Sequence, residues 1–190
     1  MGRHSTSLSP HHSTINRLSM NDGLEAYAQE VRRRIEECDC EVFRNRSAEH
    51  AAIILREFID SATASVRIFC GHLSKEVYGN LLPYFRRAHR RGVEVQVVTA
   101  SDQIDAIEVA EGLRENQALR SFSGSVEKSP LRELPHFAIV DGKRYRLETN
   151  PVEKSALVCA YAMLESQKAR ANLLDEAFSH IWEATAMPKV

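Results

Sequence analysis

One stretch of this 190-residue sequence gathers most of the side chains suited to acid–base or anion chemistry: His136-Phe-Ala-Ile-Val-Asp-Gly-Lys143, followed by Arg144, Arg146 and Glu148. His136 follows Pro135 at the head of an apolar run, and an imidazole near Lys143, Arg144 and Arg146 could hold an anion or move a proton. A lone histidine at a strand edge is more often structural, because a working site needs several polar groups converging on one point. His72, just after Gly71, stands where a strand gives way to a loop, the position at which α/β sheets bind ligands. The densest basic cluster is Arg86, Arg87, His89, Arg90 and Arg91. Its alternation with Phe85 and Ala88 puts it on the solvent side of a helix, where it could meet a nucleic-acid backbone or simply be solvated. Arg32, Arg33 and Arg34 carry the same two readings.

The cysteines offer less. Cys70 and Cys159 sit in apolar runs and behave as small hydrophobes. Cys38-Asp-Cys40 lacks the spacing of common zinc sites and has only His50 to recruit, whereas a closed zinc site needs four ligands. No metal and no cofactor is therefore expected. Reduced, non-paired thiols and the lack of an apolar leader fit a cytoplasmic location.

Composition constrains the frame that holds these residues. Hydrophobic residues make up 43% and charged residues 27%, which is enough for a buried core. Lys and Arg (25) nearly cancel Asp and Glu (26), leaving a net charge of −1, so no global field drives the chain onto nucleic acid or membrane. No apolar run approaches the length of a membrane span. Residues 1–20 are rich in Ser, Thr and His and are expected to form a disordered tail. Met1-Gly-Arg-His-Ser-Thr6 formally matches a myristoylation pattern, the acid-free Arg/Ser composition resembles a transit peptide, and Met20 could serve as an alternative start.

Residues 21–46 should form an N-terminal helix and linker, with Leu24, Tyr27, Val31 and Ile35 at helical spacing. Residues 47–190 read as one α/β domain. Ser47 caps a helix with Ile54, Leu55, Phe58 and Ile59 on its apolar face. Ser65–Cys70 is a strand, and Leu82–Arg91 is a helix started by Pro83 and ended by Gly92. Val93–Val98 is a strand. Residues 102–116 form an acidic helix with Ile104, Ile107, Val109 and Leu113 inward, and 117–133 form a loop with one short strand. His136–Val140 and Lys143–Glu148 are strands joined by an Asp141-Gly142 turn. Residues 156–161 are another strand, and a final helix over 164–185 turns Leu173, Leu174, Ala177, Phe178, Ile181 and Trp182 to one face. The sum is a mixed β-sheet flanked by helices and preceded by an N-terminal helix.

Three pieces in this order resemble the phospholipase D-like superfamily. They are the helix end Ile59-Asp-Ser-Ala62 leading to Val66–Cys70; Phe85-Arg-Arg-Ala-His-Arg-Arg-Gly-Val-Glu-Val-Gln-Val-Val98; and the His136–Lys143 hairpin, closed by Phe178-Ser-His-Ile-Trp-Glu-Ala184. The resemblance covers residues 47–188 and implies a single half-unit of that fold. Members of the family use His-x-Lys-x4-Asp, in which histidine attacks phosphorus and lysine neutralises phosphate oxygens. Aligned on Ile139-Val-Asp-Gly142, the nucleophile position holds Leu134 and the lysine position holds His136. Aligned on His136 instead, Ala138 falls at the lysine and Lys143 at the aspartate. The Gly-Ser-x-Asn that follows in the family falls on Glu148, Thr149, Asn150 and Pro151. The motif is degenerate in either register.

Because that family pairs two halves, the resemblance implies a homodimer, here a non-catalytic module that binds a protein partner as a regulatory, accessory or sensor subunit. The alternatives are a phosphodiesterase or nuclease with a rearranged site using His136, Lys143 and Glu148, and a nucleic-acid-binding domain using Arg86, Arg87, Arg90 and Arg91. His72, His136, Arg144 and Arg146 are the anion-binding candidates, and no membrane is expected as a partner.

Overall fold

The computed structural model describes residues 11–100, 104–121, 134–150 and 155–186. Seven strands form one mixed sheet in the order β1-β7-β6-β5-β2-β3-β4. They are β1 (Val42–Asn45), β2 (Ser65–Cys70), β3 (Glu94–Thr99), β4 (Leu119–Ser121), β5 (Phe137–Val140), β6 (Arg144–Asn150) and β7 (Ser155–Cys159). β2, β3 and β4 are parallel neighbours, and β5, β6, β7 and β1 continue the sheet antiparallel. The helices are α1 (His11–Glu36), α2 (Ala48–Asp60), α3 (Lys75–Tyr78), α4 (Leu82–Arg90), α5 (Ile107–Glu115) and α6 (Glu165–Ala186).

Strand alternation divides the core in two. Val66, Ile68, Cys70, Val97, Ala138 and Val140 face α1, α2, α4 and α5 in one cluster. Phe69, Val98, Phe137, Ile139 and Tyr145 face α6 in the other, against Ala171, Leu174, Phe178 and Ile181. Arg67, on the α6 face of β2, donates to Asp175 at 2.7 Å and fixes that helix to the sheet. Helix ends follow local chemistry. The Ser47 hydroxyl accepts from the His50 amide at 3.2 Å. Pro83 lies in the first turn of α4, and Gly92 leaves that helix with φ +81°, a conformation that favours glycine.

Several expectations are corrected. α1 spans His11–Glu36 and so takes in residues 11–20 as well as the helix expected from residue 21, with no proline inside it. Residues 1–10 lie outside the described residues, as do 122–133 of the expected loop. The linker contains β1, which is short and gains its pairing only from β7. The helix expected from residue 102 starts at Ile107, because Ile104 bridges Leu73 and the Asp105 and Ala106 amides donate to the Leu73 carbonyl. Ile107 (61% exposed) and Leu173 (65%) point to solvent rather than inward.

The β5–β6 turn is anchored from one side chain. Asp141 and Gly142 both have positive φ, as a tight primed turn requires. The Asp141 carboxylate accepts from the amides of Thr63, Ala64 and Ser65, from the Thr63 hydroxyl and from Arg144. Burial opposes its ionisation, but the amide donors of Ser65, Ala64 and Thr63 outweigh burial and hold the carboxyl below its ordinary value. A depressed folded-state value means that this stabilisation is complete above the unfolded value and is lost as pH falls through the folded one. Asp141→Ala should therefore cost about 2–4 kcal/mol in urea unfolding at neutral pH, with Asp141→Asn, which tolerates positive φ, costing less. The deficit should shrink as the solution is acidified; a cost independent of pH would contradict the assignment.

Candidate functional site

Register decides what meets what. Ala138 pairs with Arg146 and Val140 with Arg144, and the Glu148 amide donates to the His136 carbonyl. Side chains alternate along a strand, so Arg144, Arg146 and Glu148 all project to the α2 side of β6. Glu148 thus lies across from His136 at the end of the sheet where β2 finishes in Cys70-Gly71-His72. There a cavity of about 550 Å³ opens, lined by Cys70, His72, Lys75, Tyr78, Asp105, His136, Arg146 and Glu148, with Ala48, Ala51 and Val77 on its apolar wall.

Three of its polar groups, His136, Glu148 and Arg146, stand together on the β5–β6 hairpin. His136 Nδ1 lies 2.8 Å from Glu148 Oε2, a carboxylate that is 7% exposed. This contact places the proton on Nδ1 and leaves Nε2 as the free ring nitrogen. That nitrogen rests against Gly71: a Cβ on residue 71 would stand 2.6 Å from it. Arg146, 6% exposed, donates from Nε to Asn45 Oδ1 at 3.2 Å, and Asn45 is itself fully buried at the end of β1. The Asn45 amide nitrogen donates to the Ser47 carbonyl, which ties the arginine's partner to the start of α2. At the rim, His72 Nε2 and Asp105 Oδ2 are 3.9 Å apart. Burial pushes the Cys70 thiol up to about 12, against the opposing hydrogen bond from Tyr78, so it stays a neutral thiol and no nucleophile.

Of the residues singled out in the sequence, the fold brings His72, His136, Arg146 and Glu148 to one cavity. Lys143 and Arg144 are elsewhere. They sit at the turn at the opposite end of β5 and β6, where Arg144 binds Asp141 at 2.9 Å and Lys143 faces the Tyr161 ring at 6.0 Å. The basic run on α4 is partly spent on structure. Arg87 donates to Asp60 and lies over the Tyr84 ring, and Arg91 donates to the Ile59 and Ala62 carbonyls at the end of α2. Arg86 and Arg90 remain exposed. Arg32 is paired with Glu57, Arg33 with Glu30 and Glu37, and Arg34 with Glu30 and Asp39. His50 stacks on Tyr27 with ring centroids 4.0 Å apart.

Sequence reasoning missed Lys75, Tyr78, Asn45 and Asp105. The Ser74-Lys-Glu pattern after His72 does carry a helix-start signal that could have placed Lys75 beside the first loop. Asn45 has no such signal, because its role depends on β1 pairing with β7.

No family model and no curated relative matches this sequence. Solved structures do match. TrmBL2, an archaeal chromatin protein whose structure shows a novel mode of DNA binding, aligns with a TM-score of 0.57 at 13% identity, over 92% of this chain and 65% of that one. Nuc from Salmonella typhimurium, a phospholipase D family member, aligns with a TM-score of 0.51 at 19% identity, over 75% of this chain and 93% of its own. The fold is phospholipase D-like. Identities this low carry the fold and not the chemistry, and this chain spans slightly less than two thirds of the archaeal protein.

In this phospholipase D-like fold Gly71 is the residue that lets the imidazole reach its carboxylate. Gly71→Ala should leave the fold intact, with a stability change within about 1–2 kcal/mol, while pushing the His136 ring off Glu148. A crystal structure of the variant in which the 2.8 Å contact survives would show that the close approach is not required.

Proposed function

We propose that this chain is a non-catalytic phospholipase D-like module, a regulatory, accessory or sensor subunit that works as a homodimer and through a protein partner. The observation that carries the reading is the split of the hairpin's functional groups. His136 and Glu148 stand at one end of β5 and β6, and Lys143 stands at the other. With Leu134 at the nucleophile position in one register and Ala138 at the lysine position in the other, neither register leaves a pair to form a phosphoryl adduct and neutralise its oxygens together. A buried glutamate beside the imidazole adds repulsion to a phosphate at that point. Among the described residues no helix is long and apolar enough to cross a membrane.

A second reading, a phosphodiesterase with a rearranged site, draws support from the His136–Glu148 contact, since a carboxylate-oriented imidazole is a sound nucleophile or base. Its weakness is charge: Lys75 is the lysine at the cavity, and it is on the rim. DNA binding through the α4 face finds support in the DNA-binding archaeal neighbour, but the free patch is reduced to Arg86 and Arg90 by the contacts of Arg87 and Arg91.

Hydrolysis of bis(p-nitrophenyl) phosphate and of plasmid DNA should not exceed background, and His136→Ala should change nothing. Robust turnover abolished by His136→Ala would replace this reading with the second. Sedimentation equilibrium should give a dimer at micromolar concentration; a chain that stays monomeric at high micromolar concentration contradicts the dimer.

A further inference from the structure

Arg146 is a buried cation without an ion pair. Its Nε is taken by the neutral Asn45 amide, and among the described residues it makes no salt bridge. Glu148, two residues along the same face of β6, is engaged by His136. A guanidinium taken out of water with no carboxylate in direct contact is costly, and its charge reaches into the surrounding core. The Tyr27 hydroxyl shows this: it is buried with no hydrogen-bond partner, burial pushes it up to about 12, and the charges of Arg146 and Arg34 pull it back. The guanidinium lines the cavity, so the fold holds a fixed positive fork against a space that a small molecule can enter.

We infer that this cavity is a binding site for a small monocarboxylate with an apolar body and a hydroxyl group, the carboxylate paired with Arg146 and the hydroxyl hydrogen-bonded to His136. The charge around the cavity selects a monoanion. Lys75 and Arg146 are opposed by Glu76, Asp105 and Glu148, two cations against three carboxylates, so a dianionic phosphate meets twice the repulsion that a carboxylate does. The planar fork of arginine matches a carboxylate through two parallel hydrogen bonds. Nε2 of His136, freed by the Glu148 contact on Nδ1, accepts from a hydroxyl, and Ala48, Ala51 and Val77 cover the body between the two ends. The inference rests on the site being non-catalytic, which the hydrolysis assay tests separately.

The experiment is calorimetric titration of the full chain with 4-hydroxybenzoate, benzoate, phenol and phenyl phosphate, which vary one group at a time. The expected order is 4-hydroxybenzoate tightest, benzoate weaker by several-fold, and phenol and phenyl phosphate without measurable binding. Arg146→Gln should weaken 4-hydroxybenzoate roughly tenfold or more, and Arg146→Lys, which keeps the charge and loses the fork, should lie between. Should Arg146→Gln fail to fold, Ala48→Leu narrows the cavity while leaving the arginine in place, and it should weaken binding as well. Changes of the His136 imidazole resonances on titration place the ligand's hydroxyl at that ring. Phenyl phosphate binding as tightly as the carboxylate overturns the inference and leaves the non-catalytic reading standing. It is equally overturned by a wild-type chain that binds none of the four, or by Ala48→Leu and Arg146→Gln binding like wild type.

Discussion

The register of the β5–β6 hairpin is the constraint on which the rest of this site depends. Two residues with positive φ set the turn, and the Asp141 carboxylate ties it to the start of β2 through three amides and a hydroxyl. With the turn fixed, pairing proceeds two residues at a time, and Glu148 has to lie across from His136. A slip of one residue would turn Arg146 and Glu148 toward α6 and put Tyr145 and Leu147 beneath the cavity. The hairpin therefore separates two tasks in space. Its turn end is structural, and its open end carries the ionisable groups.

Those groups are held by elements distant in sequence, and each contact has a distinct physical basis. Gly71 yields room for the imidazole by lacking a Cβ. Asn45 reaches Arg146 from β1, the edge strand, because β7 lies between β1 and β6 and sets their spacing. Tyr78 arrives on the short helix α3 and hydrogen-bonds the neutral Cys70 thiol. Rigidity here comes from the sheet, while the rim residues His72, Lys75 and Asp105 ride on the loop and short helix that follow β2 and β3. A sheet floor with a loop-borne rim is how α/β scaffolds carry recognition.

Much of the architecture was legible because it is written in local signals. A β-rich run marked β2, period-two alternation marked β3, an apolar run marked β5, the Asp-Gly pair marked the turn into β6, and Ser47 and Pro83 marked helix starts. Once β6 is a strand, its alternation puts Arg146 and Glu148 on one face. What the sequence could not show was distance along the strands: Lys143 and Arg144 are close to His136 in sequence and lie at the other end of the hairpin in space. β1 escaped notice because Val-Phe-Arg-Asn is too short to show a period, and its pairing with β7 joins segments more than a hundred residues apart. Arg87 and Arg91 looked solvated because their partners, Asp60 and the carbonyls ending α2, belong to another helix. Ile107 and Leu173 failed for a different reason: they lie just outside the buried stripe, at positions that apolar type alone does not resolve.

The two ends of the hairpin are also held by different means within the phospholipase D-like frame. Asp141 lies in the Ile-Val-Asp-Gly stretch that carries the resemblance, and its carboxylate is consumed by backbone amides, the Thr63 hydroxyl and Arg144, which tie the turn to β2. The open end has no such obligation. There a leucine, 39% exposed, stands at residue 134, and the imidazole two residues on is turned to a buried carboxylate. Neither side chain disturbs the hairpin, whose stability comes from the turn and from the strands on either side. Structure and chemistry are thus separable within a single β-turn-β unit, and the charge of Arg146 is left facing a cavity whose walls already hold more acid than base.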